Sequence, residues 1–120
     1  MNTIKVEQNK KTISKYVKIF GPGLNKWKPD LVANIQFLNE LQCYFNVILK
    51  TKGFVFLNDV YEELDIPKTR AGQCAGWVYD STNPDDNFID FVTSGVKYVN
   101  GEYAIILDFN ANEDILNKVS

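Results

Sequence analysis

At 120 residues, with 45% hydrophobic and 13% aromatic side chains, the chain is long enough for one domain with its own core, which excludes wholesale disorder. No apolar run approaches the roughly 20 residues of a membrane-spanning helix, and the start, MNTIKVEQNKK, lacks the apolar stretch of a secretory signal. The net charge of −2 hides an asymmetry: residues 1–28 sum to +6 on seven lysines against Glu7, and residues 29–120 sum to −8.

The basic stretch comes first. Ile4, Val6, Ile13, Tyr16, Val17 and Ile19 are interleaved with its lysines, and Lys15 to Ile19 alternates as a short strand would, so an extended or weakly helical arm is expected. Gly21-Pro22-Gly23 forbids regular structure and marks a crossover, which Trp27 is placed to anchor to the body. The pattern divides the chain into this arm and crossover, 1–28, and a single α+β domain, 29–120.

Pro29 and Asp30 open the clearest element. Proline suits a first helical turn and Asp30 complements the positive end of the helix. Leu31, Ile35, Leu38, Leu41, Phe45 and Ile48 or Leu49 then recur at three- and four-residue steps. They predict an amphipathic helix that ends near Lys50-Thr51-Lys52, with Gly53 as its stop. Asn58 is expected to cap a short helix, Asp59 to Leu64, and Thr69 a second one running toward Cys74; Gly72 and Gly76 mark close backbone approach. Trp77 to Tyr79 and Phe88 to Phe91 read as two strands joined by the Asn-Pro-containing loop 80–87. Asn100-Gly101, between Val96 to Val99 and Glu102 to Phe109, signals a type I′ hairpin, and a last helical turn is expected around Ile115 and Leu116. The fold class is therefore α+β: a long amphipathic helix, two short helices and a small antiparallel sheet, preceded by an extended basic arm.

Catalytic chemistry is scarce. There is no histidine, hence no nucleophilic pair or triad built on one, and no histidine-based zinc site. Cys43 and Cys74 are isolated and read as small structural hydrophobes rather than ligands. The carboxylates Asp80, Asp85, Asp86 and Asp90 sit around one loop with oxygen-ligand chemistry, yet without the spacing of a calcium loop. Aspartate and asparagine favour turns for local reasons, so no metal and no cofactor are expected. Lys68, Thr69 and Arg70 make a small basic island at a helix start; without glycine-rich backbone around it, salt bridging or partner contact is favoured over phosphate chemistry.

The chain resembles an uncharacterised bacteriophage and prophage family, a domain of unknown function found chiefly in phages of Gram-positive hosts. The resemblance is carried by Lys50 to Tyr61, Ile66 to Gln73 and Gly76 to Asp80. It continues through Asn83-Pro84, Asp86-Asn87, Asp90-Phe91, Val99-Asn100-Gly101 and Leu107 to Asn110, and covers roughly residues 20–116 with Phe37-Leu38 and Gln42 of the long helix. Longer relatives carry apolar, membrane-type segments ahead of this domain, where this chain has the lysine-rich arm. The segment between Phe91 and Val99 is also shorter, so membrane attachment is not carried over. The resemblance implies a phage setting and no activity.

These readings lead to an expectation of a non-enzymatic phage structural or assembly protein, in the virion or the host cytoplasm, with its arm strapped onto neighbouring subunits. The apolar residues among the lysines argue against a merely solvated tail, and the acidic body opposes direct nucleic-acid binding except through the arm. The alternative is a phage accessory inhibitor of host defence, anti-CRISPR-like, whose acidic body blocks a host protein. Candidate partner-contacting residues are Lys5, Lys10, Lys11, Lys15, Tyr16, Lys18, Trp27, Lys68, Arg70, Asp85 and Asp86.

Overall fold

The computed structural model describes residues 15–82, 88–91 and 95–119. Strand β1 (Val17–Phe20) is followed by helix α1 (Leu31–Lys52), strand β2 (Phe54–Phe56) and helix α2 (Leu57–Glu63). A 3-10 turn at Ala71–Gln73, strands β3 (Gly76–Val78), β4 (Val96–Val99) and β5 (Glu102–Asp108), and helix α3 (Leu116–Val119) complete the order. The architecture is α+β, one long helix with small antiparallel sheets.

α1 begins and ends as its sequence dictates. Asp30, in extended conformation, accepts bonds from the Val32 and Ala33 amides, and Pro29 stands just outside the helix instead of in its first turn. Gly53 adopts φ 100 at the far end and its N–H closes onto the Leu49 carbonyl, with Lys50 and Lys52 in the last turn. Leu38, Leu41, Phe45 and Leu49 are buried as the periodicity predicts. Asn34 is buried beside them, where its amide bonds both the N–H and the C=O of Lys28 and ties the crossover to the helix.

Two small sheets flank the helix. The larger has the order β1-β5-β4, and the smaller pairs β2 with β3. Part of the lysine-rich stretch is thus built into the body: β1 runs antiparallel to β5, with Lys18 opposite Leu107 and Phe20 opposite Ile105. Phe20 is fully buried, stacked on Phe37 of α1 and edge-on to Trp27, which makes Trp27 the expected anchor of the crossover. The β4–β5 connection is the expected turn, with Asn100 at φ 51 and Gly101 at φ 83, both in the left-handed region that type I′ geometry requires.

Three expectations are corrected. Asn58 does not cap α2; the helix starts at Leu57, two residues before the expected Asp59, and the buried Asn58 amide instead bonds the backbone N–H and C=O of Thr69. The second short helix is only a 3-10 turn, although the Thr69 hydroxyl does accept from the Gly72 amide as a cap would. Phe88 to Phe91 forms no strand with β3, whose partner is β2, in register Val55 to Trp77. Gly76 is a forced glycine: a Cβ there would collide with the Val55 carbonyl and the Phe56 backbone.

What holds 88–91 in place is a set of amide side chains. Asn46 accepts from the Ile89 N–H and donates to the Ile89 C=O, while Gln42 accepts from the Phe91 N–H. From the other side Asn110 accepts from the Asp90 N–H and the Trp77 indole and donates to the Phe88 C=O. The segment's hydrogen-bonding needs are met by these three side chains together with the Asn110 backbone N–H, which donates to the Asp90 carbonyl, and Ile89 and Phe91 are buried completely, Phe91 against Phe109.

Candidate functional site

Among the described residues, the candidate partner surface is the side of the larger sheet that faces away from α1. Register places Val17 opposite Asp108, Ile19 opposite Ile106 and Lys97 opposite Ala104, so these residues share that face. Val17 and Ile19 stay about half exposed, at 47% and 48%. The face ends in a groove of about 350 Å³ lined by Ile19, Gly21, Pro22, Gly23, Leu24, Asn100, Glu102 and Ala104. Gly21 shapes its floor, because a Cβ there would meet that of Ala104. The Gly-Pro-Gly crossover, which sequence reasoning treated only as a turn, is one wall of this groove.

A second groove of about 210 Å³ adjoins it, lined by Trp27, Pro29, Asp30, Leu31, Glu102 and Tyr103. Glu102 therefore stands on the rim of both. Tyr103 packs edge-on against Tyr98 with ring centres 5.0 Å apart, and both remain more than half exposed. One groove is aliphatic and the other pairs aromatic rings with two carboxylates, the surroundings that attract an ammonium group.

The candidate partner-contacting residues fall into three groups. Lys5, Lys10, Lys11, Asp85 and Asp86 lie outside the described residues. Lys15, Lys18 and Lys68 are engaged with the body itself. Lys15 pairs with Glu113 at 2.9 Å, a hydrogen bond and an attraction that raise the lysine pKa. Lys18 lies over the Tyr61 ring, 5.5 Å from its centre, and Lys68 pairs with Glu62 at 3.1 Å. Tyr16 packs half-buried on the core, its carbonyl accepting from the Phe109 N–H, and burial raises its hydroxyl pKa. Arg70 is exposed at the start of the 3-10 turn, and Trp27 lines the second groove.

At the Asp80 end of the 80–90 loop the chemistry is local. Asp80 accepts from both the hydroxyl and the backbone N–H of Thr82, and these bonds hold its carboxyl below the usual range. Asp90 has one buried carboxylate oxygen without a hydrogen-bond partner among the described residues. Among those residues no group of three or more histidine, cysteine, aspartate or glutamate side chains is placed to hold a metal ion. Cys43, expected to pack as a small hydrophobe, is exposed on α1, while Cys74 is partly buried. No helix among the described residues is long and apolar enough to cross a membrane.

A family model described as a family of unknown function (DUF6353) matches residues 1–119. The chain belongs to that family. The match takes in the lysine-rich N-terminal segment as well as the α+β body, a longer span than the 20–116 of the residue-level resemblance. No curated protein and no solved structure matches the chain.

Proposed function

We propose that this member of the family is a non-catalytic assembly protein of a bacteriophage particle, which docks on neighbouring protein subunits through the outer face of its larger sheet and the adjoining lysine-rich segment. One observation carries the reading: the outer sheet face keeps Val17 and Ile19 half exposed and runs into a groove beside Glu102. An apolar surface with a charged rim is what a protein partner covers. The setting, a virion or the host cytoplasm, draws its support from the resemblance to a phage family carried by, among others, Ile66 to Gln73 and Gly76 to Asp80. The absence of histidine from the chain supports the non-enzymatic part.

The test is quantitative mass spectrometry of purified particles. Stoichiometric presence of the chain supports the reading, and its absence overturns it. The −8 charge of residues 29–120 favours a second reading, an inhibitor of a host defence protein with a basic cleft. Under that reading the chain would be missing from particles, and it would co-purify with a host protein in a complex weakened by salt.

A further inference from the structure

We infer that the double groove around Glu102 is the seat for residues 1–14 of a second copy of this chain, which deepens the assembly reading above and rests on it. The first argument is chemical complementarity. Segment 1–14 alternates apolar and basic residues in Ile4-Lys5-Val6 and places the basic pair Lys10-Lys11 two residues before Ile13. The grooves offer the matching pair of environments: an aliphatic one bounded by Ile19, Pro22 and Leu24, and an aromatic one bounded by Trp27, Tyr103 and Asp30. Glu102, on the rim of both, faces whichever lysine follows an apolar side chain into the first groove.

The second argument is direction. Lys15 is paired with Glu113, beyond the end of β5, and Tyr16 continues the pairing through the Phe109 N–H. The chain therefore meets the sheet at the Val17–Asp108 end. The double groove lies at the opposite end, beside the Asn100-Gly101 turn and the Gly-Pro-Gly crossover. A segment of 14 residues spans up to roughly 50 Å when extended, enough to cross a neighbouring copy. Reaching its own groove would require a full reversal over the Val17 and Ile19 face. An arm at one end and a seat at the other make a head-to-tail contact, which closes into a ring or propagates as a filament.

The experiment uses full-length chains in analytical ultracentrifugation. Wild type is compared with a seat variant, Glu102→Lys, and an arm variant carrying Lys5→Glu, Lys10→Glu and Lys11→Glu. Thermal melts confirm that all of them fold. The wild type is expected to associate as its concentration rises, and each variant alone to need at least about tenfold more protein for half-association, as turning an attractive charge pair into a repulsive one implies. An equimolar mixture of the two variants restores the native contact and also sets the reversed arm charges against the reversed seat charge, so it should associate at lower concentration than either variant alone. A wild type that stays monomeric at every concentration, through an arm that seats on its own body or on none, overturns the proposal. So does unchanged association of either variant, or a mixture that associates no better than either variant alone. Chains that associate as expected but are missing from particles would sink the virion reading and leave this contact standing.

Discussion

Replacing Asn110 with alanine removes three hydrogen bonds at once: 2.8 Å from the Trp77 indole, 2.9 Å from the Asp90 N–H and 2.9 Å to the Phe88 carbonyl. Each is worth roughly 0.5–1.5 kcal/mol net, and the indole N–H of a tryptophan only 2% exposed is left without its acceptor. The expected loss is about 2–4 kcal/mol, a large share of the stability of a domain this size. Urea unfolding followed by tryptophan fluorescence should show the midpoint falling by about 1–2 M with an unchanged slope. Trp77→Phe removes the orphaned donor, so in that background Asn110→Ala should cost about 1 kcal/mol less. A loss below about 0.5 kcal/mol in the native background would refute the claim that side-chain amides stand in for a strand at 88–91.

Two further outcomes are expected. Phe20→Ala should destabilise by about 3–5 kcal/mol in chemical denaturation, because Phe20 is fully buried between Trp27 and Phe37; a negligible effect would return β1 to the status of a detachable arm. Burial pushes the Tyr61 hydroxyl up to about 12, so the folded state favours its neutral form. The unfolded tyrosine ionises first, so this contribution is intact below about pH 10 and is lost as pH rises toward 12. Across that window the wild type should lose about 2–3 kcal/mol more than Tyr61→Phe, and parallel pH–stability curves would contradict this.

The parts of the fold that were legible in the sequence are those fixed by local chemistry. Asp30 and Gly53 bound α1 because a carboxylate accepts free amides and a glycine turns left-handed within one residue of the helix ends. Asn100-Gly101 sets its turn by the same kind of short-range rule. Pairing across long separations was not legible. The alternation in Phe88 to Phe91 announces an extended segment but not its partners, which are Gln42 and Asn46, more than 40 residues earlier, and Asn110, about 20 residues later. Asn58 illustrates the same limit: an asparagine near a helix start reads as a cap, and only the folded chain brings Thr69 within its reach. The candidate site was half legible. The lysines and Trp27 were visible, whereas Glu102, Tyr103 and the Gly-Pro-Gly wall acquire meaning only once β1 and β5 are paired. Lysines expected in an arm strapped onto neighbouring subunits are in part engaged with the body itself: Lys15 pairs with Glu113 and Lys26 donates to the Glu63 carbonyl.

The most direct measurement of the central claim is the copy number of this chain in purified particles, wild type against Ile19→Glu. Ile19 is half exposed on the outer sheet face and lines the larger groove, so the substitution should leave the fold intact while spoiling the docking surface. The account predicts a fixed stoichiometric copy number for the wild type and a loss of at least about tenfold for the variant, the consequence of placing an unpaired charge in a covered apolar contact. Equal incorporation of the two chains, or no wild-type chain in the particles, would contradict it.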